Sequence, residues 1–146
     1  MTAPTASSQP PAIRYLHQDH WEAQPSGSVR LVAHRCTLCG ATYLPGIATC
    51  ASCRGRHFTR QPLSDSGTLY SYTIVRNAGG VWPDVYAIGY VDFPENVRVC
   101  GHLRETTEEQ LRIGMPVGVE AAQLYRDKDG SAVVCFRFHR LEGAGR

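Results

Sequence analysis

The sequence has little of what membrane, secreted and nucleic-acid-binding proteins usually carry. No apolar run approaches the roughly 20 residues needed to cross a bilayer. The stretch MTAPTASSQPPA lacks the basic start and apolar middle of a secretion signal. Lys128 is the one lysine among fifteen basic residues, and the formal net charge is only +2. These absences predict a cytoplasmic protein with no membrane partner. They also make a nucleic-acid partner unexpected, because such proteins usually show a strong basic excess.

Common catalytic patterns are also missing. The sequence contains no paired carboxylates, no G-x-S-x-G elbow, no phosphate-binding loop and no open metal site. The acids Asp65, Asp84, Asp92 and Glu120 are scattered, and most of them fall at turns or strand ends. We therefore assign no catalytic residue and do not expect the chain to be catalytic alone.

Composition and turn signals divide the chain into four segments. Residues 1–12 are rich in Pro, Ser, Thr and Ala and are expected to be a disordered tail. Residues 13–28 are expected to form an N-terminal helical segment, since Ile13, Leu16, His20 and Trp21 share one helical face before Pro25 and Gly27. Residues 29–63 hold a cysteine-rich ribbon with short flanking strands, and residues 64–146 are rich in β-patterns.

The last segment predicts a five-stranded OB-fold barrel. Alternating or continuous apolar patterns predict strands at about 67–76, 85–93, 97–104, 116–126 and 131–141. A short helix is expected between the third and fourth strands, because Thr106 and Glu109 fit a capping box and Gly114 fits a helix stop. Three strands, one helix and two strands is the order of an OB-fold. The expected fold class is mainly β, with this barrel, the ribbon and the N-terminal helix.

Four of the six cysteines form two C-x-x-C pairs ten residues apart: Cys36, Cys39, Cys50 and Cys53. In a reducing compartment paired cysteines favour a metal over disulfides. Two C-x-x-C turns facing each other supply the four corners of a zinc tetrahedron. Gly40 and Gly55 are expected to give these turns their backbone freedom. Four thiolates leave no open coordination position, so the predicted zinc is structural.

Two other interpretations of the cysteine cluster stay open. A redox C-x-x-C usually stands alone at a helix start, and that pattern is absent here. Iron bound by the same four thiolates is compatible with the spacing, since geometry alone does not select the metal.

Strand alternation predicts the faces of the barrel. Val134, Phe136 and Phe138 are expected in the core. The opposite faces of the third and fifth strands predict an outer patch of Arg98, Cys100, His102, Arg104, Cys135, Arg137 and His139. This patch has three interpretations: a surface for a partner or CoA phosphates, a Cys100–His102 nucleophile and base, or two ordinary thiols among solvated charges. The roles of Cys100 and Cys135 stay open, and Trp82 is expected either at an exposed loop tip or folded back on the barrel.

The motifs RCTLCG, LPGIATCASCRG, SGTLYSYTIV, YAIGYVDF and RIGMPVGV, taken in this order, resemble a known family. The family joins N-terminal helices, a rubredoxin-like zinc ribbon and a C-terminal OB-fold, and it is associated with acyl-CoA. The resemblance runs from about Trp21 to Leu141, and Gly46 departs from it where relatives often carry a second proline.

This resemblance implies a non-catalytic accessory subunit of a hetero-oligomeric acyl-CoA complex. The partner would be a thiolase-like, aldolase or hydratase subunit. The small subunit would stabilise this partner and help it to bind the CoA ester. Arg54 and Arg56 would contact CoA phosphates if the ribbon faces the cofactor. The alternative function is a single-stranded nucleic-acid-binding protein, because zinc ribbons and OB-folds also occur in that class.

Overall fold

The computed structural model describes residues 12–142, and the regular structure in this range is entirely β. Ten strands follow one another: β1 (Ile13–Tyr15), β2 (Trp21–Ala23), β3 (Val29–Cys36), β4 (Thr42–Tyr43), β5 (Phe58–Pro62), β6 (Ser66–Arg76), β7 (Val85–Phe93), β8 (Val97–Leu103), β9 (Pro116–Arg126) and β10 (Ala132–Arg140). No helix within residues 12–142 is long and apolar enough to span a bilayer.

Strands β6 to β10 close into a barrel. Their order is β10-β8-β7-β6-β9, and β10 also pairs with β9, which joins the two ends of the sheet. All neighbours are antiparallel except β8 and β10, which are parallel. The five predicted barrel strands are therefore confirmed, and their bounds agree with the expected bounds to within one residue. Alternating apolar residues fill the interior, since successive side chains of a strand face opposite sides.

The ribbon is built around β3, which pairs antiparallel with β2, β4 and β5. One face of β3 is apolar, and Val29, Leu31 and Ala33 on it are buried. These residues and Leu63 belong to the same buried cluster as the barrel interior, and β3 packs against β9. Ribbon and barrel therefore share one hydrophobic core, which neither could complete with its own residues.

The predicted N-terminal helix at 13–28 is wrong. The segment forms β1, which adds parallel to β10, and β2, which pairs with β3. Its backbone hydrogen bonds go to these neighbours: the Leu16 amide donates to the Val134 carbonyl at 2.8 Å. A single amphipathic helix of about 12 residues is only marginally stable, so two open strand edges can outcompete it. The predicted tail at 1–12 lies outside the described residues except for Ala12.

The predicted helix between the third and fourth barrel strands is also wrong. Only turns occur there, and the Thr107 hydroxyl donates to Gln110 Oε1 at 2.9 Å in place of a capping box. The Gly114 amide donates to the Leu69 carbonyl, and the Leu69 amide donates to Met115. Buried Leu111 and Met115 fasten this segment to the end of the barrel. The Gly114 amide is therefore bonded to β6, and the residues before it form local turns in which the Gln110 amide donates to the Thr107 carbonyl.

The predicted barrel core is correct for Phe136 and Phe138, which are 4% and 0% exposed. It is wrong for Val134, which is half-buried, whereas Val133 is fully buried. The pairing of β10 with β9 shifts register between these two valines. The extra residue at this irregularity is Leu124 on β9, and within β10 the alternation of buried residues breaks further on, where Cys135 and Phe136 are both buried.

Candidate functional site

The four cysteine sulfurs of the ribbon converge on one point. The Sγ atoms of Cys36 and Cys53 are 3.5 Å apart, as are those of Cys39 and Cys50. All four sulfurs lie within 4.8 Å of one another. A tetrahedral zinc with bonds of about 2.3 Å places its sulfurs about 3.8 Å apart. The spacing of the four sulfurs therefore fits a four-coordinate metal ion.

Each C-x-x-C pair lies on a tight turn, and the residue after the second cysteine has a left-handed backbone. Gly40 has φ 79° after the first pair, and Arg54 has φ 64° after the second. The Gly40 amide donates to the Cys36 carbonyl at 3.0 Å, and the Arg54 amide donates to the Cys50 carbonyl at 2.9 Å. The second turn therefore takes its left-handed residue from Arg54, not from Gly55 as expected.

Gly55 serves the cluster through close approach. A Cβ atom at this position would lie 3.2 Å from the sulfurs of Cys36 and Cys53 and 3.0 Å from Leu38 Cδ1. Without that atom, the Gly55 amide donates a hydrogen bond to Cys53 Sγ at 3.3 Å. Such N–H···S bonds favour the charged thiolate, which is the form that binds a metal.

Tyr43 on β4 completes the surroundings of the sulfurs, with its hydroxyl 3.4 Å from Cys50 Sγ. This hydrogen bond lowers the pKa of Cys50 to about 6, against the opposing effect of burial. The Gly55 amide lowers the pKa of Cys53, but burial and three neighbouring thiols outweigh it and raise that pKa to about 12. Thiolates this close repel one another, so all four ionise together only around a cation. The cluster could thus bind a metal ion.

The outer patch predicted on β8 and β10 is only partly formed. Cys135 is 5% exposed and belongs to the common core, so its place in the patch was wrong. Burial raises the pKa of Cys135 to about 11, which makes it an unreactive structural thiol. The pairing of Arg137 with His102 confirms that β8 and β10 are neighbours.

The arginines of this patch are neutralised by carboxylates of the same chain. Arg98 forms two hydrogen bonds with Asp92, at 2.6 and 3.1 Å, and its guanidinium lies 3.4 Å above the Tyr70 ring. Arg137 donates twice to Glu120 Oε1, and Arg104 donates to the other oxygen. Paired charges of this kind present little free positive potential to a ligand.

Trp82 folds back on the barrel. Its ring stacks on His102 with centroids 5.3 Å apart and an interplanar angle of 12°, and it also contacts Tyr86 and Tyr125. Burial and the nearby Arg137 lower the pKa of His102.

Cys100 and His102 share the outer face of β8. No hydrogen bond joins these two side chains, and the His102 ring stacks on Trp82 instead. Burial raises the pKa of Cys100, which disfavours its thiolate. Cys100 lines a shallow apolar groove of about 230 Å³ together with Tyr72, Ile88 and Tyr90.

Comparison with known proteins agrees with this architecture. The family described as "ChsH2, C-terminal OB-fold domain" matches residues 60–122. The fold resembles a solved structure titled "Ltp2-ChsH2(DUF35) aldolase", with a TM-score of 0.62, 22% identity, and coverage of 76% of this chain and 84% of that chain. A DUF35 domain-containing scaffold protein from Methanocaldococcus jannaschii is 26% identical over 138 residues, or 89% of this chain and 98% of that protein.

A relative with higher identity decides the family. The benzoylsuccinyl-CoA thiolase subunit BbsA of Thauera aromatica is 32% identical over 134 residues, which is 90% of this chain and 91% of that subunit. The chain belongs to the DUF35 family of OB-fold proteins that includes BbsA and ChsH2.

In this DUF35 chain the structure places Arg54 and Arg56 on the second cysteine turn and directly after it. Both are exposed, and neither side chain forms an ion pair with residues 12–142. Sequence analysis missed three neighbours of the cluster: Tyr43, Arg35 and Leu38. The Arg35 guanidinium lies 3.2 Å from where a Gly40 Cβ would stand, and Leu38 is 73% exposed. A sequence signal for this basic surface exists, since residues 29–63 contain five arginines and no acid.

The left-handed backbone of Arg54 yields the first prediction. Replacing Arg54 with glycine should raise the free energy of unfolding by about 0.5–1 kcal/mol, because glycine adopts positive φ without a Cβ penalty. Denaturant unfolding of the metal-loaded protein measures the difference. Arg56→Gly is the matched control and should be neutral or slightly destabilising, since Arg56 does not have a positive φ. Equal effects of the two substitutions would contradict the strained turn.

Proposed function

We propose that this protein is a non-catalytic accessory subunit of an acyl-CoA-processing complex, with a thiolase-like, aldolase or hydratase partner that carries the catalytic residues. The observation that carries the proposal is the near full-length similarity to the thiolase subunit BbsA. The scaffold protein of M. jannaschii, aligned over 98% of its length, supports the same kind of role.

The chemistry of the described residues is in line with an accessory role. The charged groups that meet on the barrel surface form ion pairs, and the histidine there is stacked on Trp82. Four thiolates around one tetrahedral ion would leave no open coordination position for water or substrate. A subunit of this kind acts by binding: it stabilises the partner and helps to enclose the CoA part of the substrate. Acyl transfer or cleavage then takes place on the partner's residues.

Within this proposal, Cys36, Cys39, Cys50 and Cys53 hold one structural zinc ion. Sulfur spacing, N–H···S bonding from Gly55 and the soft donor set support zinc. A bound metal contributes folding free energy on the order of 10 kcal/mol in small zinc domains. That contribution would fix the ribbon, whose sheet offers only one apolar face to the barrel core.

Arg54 and Arg56 are proposed to contact the phosphates of the CoA ester. Both guanidiniums are exposed and lack a carboxylate partner within the described residues. Arginine suits phosphate because its planar fork donates two parallel hydrogen bonds. The proposed contact lies at the metal-supported end of the ribbon, where the backbone is held by the cysteine turns.

The accessory role predicts a specific companion. Purification of the tagged chain from its own cells should recover a second subunit in fixed stoichiometry, which mass spectrometry identifies as an acyl-CoA thiolase, aldolase or hydratase homologue. The complex should turn over an acyl-CoA ester, and the isolated chain should not. Turnover by the isolated chain at a comparable rate would refute the proposal.

The zinc centre predicts a coupled loss of metal and stability. Cys36→Ser removes one of four thiolates, so the protein should contain far less than the expected one zinc per chain and melt at a lower temperature. Metal analysis and thermal unfolding measure both effects, and the same analysis distinguishes zinc from iron. Cys100→Ser is the matched control, because Cys100 is exposed on the barrel far along the chain from the cluster. A Cys36→Ser protein with the native melting temperature and full zinc content would refute the assignment of the four cysteines as zinc ligands.

The CoA contact predicts a kinetic effect confined to substrate binding. In the purified complex, Arg54→Ala and Arg56→Ala should each raise KM for the CoA ester by roughly threefold to tenfold, which is the cost of one typical hydrogen bond, with little change in kcat. Arg112→Ala, which removes another exposed arginine on the barrel, should leave KM unchanged. The CoA assignment fails if the ribbon variants behave like this control.

A further inference from the structure

The loop between β6 and β7, residues 77–84, has few contacts with the rest of the barrel. A hydrogen bond from the Asn77 amide to the Asp84 carbonyl, at 2.7 Å, closes the base of the loop. Within the loop only Val81 and Trp82 are partly covered, and the other residues are exposed. An added Cβ atom on either loop glycine would meet nothing within 4 Å. Three residues near the start of the loop have a left-handed backbone: Asn77 (φ 59°), Gly79 (φ 75°) and Gly80 (φ 65°).

Trp82 attaches this loop to rings from three barrel strands. Its indole stacks on His102 of β8, with centroids 5.3 Å apart and an interplanar angle of 12°. It also makes tilted contacts with Tyr86 of β7 and Tyr125 of β9, at centroid distances of 5.3 and 4.6 Å. The Tyr86 and His102 rings lie 5.4 Å apart. Because aromatic pairs at these distances are favourable, this ring cluster is the main attachment of a loop that is otherwise largely exposed.

His102 is the member of the ring cluster that changes its charge near neutral pH. On β10 its register partner is Arg137, which carries a positive charge. The Glu120 carboxylate of β9 is already bonded to Arg137 and Arg104, and no carboxylate among residues 12–142 forms an ion pair with His102. The titratable and charged side chains on its own strand, on the neighbouring strands and on the loop are Cys100, Arg104, Tyr86, Glu120, Tyr125, Arg137 and Asp84.

These surroundings favour the neutral form of His102 while Trp82 covers it. Burial and the nearby Arg137 both lower the pKa of His102. Protonation would place a second positive charge beside Arg137, without a carboxylate partner and under the indole. Since closure lowers this pKa, closure is most favourable above the ordinary histidine pKa of about 6.5 and weakens as the pH falls below that value.

We infer that residues 77–84 form a lid that closes on the barrel through Trp82, and that His102 is the pH-sensitive latch of this lid. With His102 neutral, the indole covers the rings of Tyr86, His102 and Tyr125. With His102 protonated, the imidazolium is hydrated and the lid opens at its two glycines, whose backbone adopts either sign of φ readily. The second and third strands of OB barrels present a binding face, so the closed lid occupies this face with a side chain of the same chain. The inference does not depend on the proposed accessory function.

Acrylamide quenching of Trp82 fluorescence tests the lid in the full metal-loaded chain, with Trp21→Phe leaving Trp82 as the single tryptophan. Quenching should increase between pH 7.5 and pH 5.5. The closing equilibrium constant should fall severalfold, with a ceiling of about tenfold because pH 5.5 lies one unit below the ordinary pKa. His102→Phe keeps a ring without the titrating nitrogen, so its quenching should be equal at both pH values. Tyr90→Ala is the matched control and should keep the pH dependence, since Tyr90 is 48% exposed on β7 and lies outside the ring cluster.

Titration of His102 by NMR checks the same coupling and needs no substitution of Trp21. Because coupling is reciprocal, Trp82→Ala should raise the pKa of His102 towards its ordinary value, and Tyr90→Ala should leave it unchanged. The melting temperature of each variant at both pH values shows that it is folded. An unchanged His102 pKa in Trp82→Ala would overturn the latch. Quenching that is equal at both pH values, or weaker at pH 5.5, would also overturn it, since the indole face attracts an imidazolium and a dominant attraction would tighten the lid.

Discussion

The structure depends on β3, because this strand links the sulfur cluster to the barrel. Its apolar face, with Val29, Leu31 and Ala33, completes the common core. Its last residue, Cys36, enters the group of four sulfurs. A shift of β3 by one residue would both expose its apolar face and move the sulfur of Cys36 out of the cluster. The packing of the common core and the geometry of the cysteine cluster therefore both depend on the register of the same eight-residue strand.

The parts of this fold that sequence predicts are those with a strict local period or spacing. Five barrel strands follow from alternation and from turn residues such as those around Gly130, and two C-x-x-C pairs place four sulfurs together. Helical periodicity gave a wrong prediction at 13–28, because a segment of a dozen residues can also form strands when an open sheet edge is available. The open edges here belong to β10 and β3, and they are known only from the tertiary fold. The local capping signal at Thr106 also failed, because the segment forms turns whose end is bonded to Leu69 of β6 through Gly114 and Met115.

Side-chain direction was the less predictable part of the site. In β10 the buried positions change from Val133 and Cys135 to Phe136 and Phe138, although the alternation reads without interruption in the sequence. Cys135 was assigned to the surface from its spacing to Arg137, but it is covered in the fold. The second cysteine turn has Arg54 at the left-handed position where the first cysteine turn has Gly40. Residue preferences favour glycine at such a position and therefore do not predict this arginine. Each difference comes from packing between distant segments, which a periodic pattern does not encode.

The distribution of paired and unpaired arginines separates two kinds of surface on one small chain. On the barrel, Asp92 and Glu120 neutralise their neighbours and aromatic rings cover Trp82, so this face is largely satisfied without a partner. In the ribbon, Arg35, Arg54 and Arg56 have no carboxylate partner among residues 12–142 and lie on or next to the turns of a cysteine cluster that could bind a metal ion. Such a surface carries a cost in repulsion between its arginines, whereas the barrel arginines Arg98, Arg104 and Arg137 each pair with a carboxylate of the same chain.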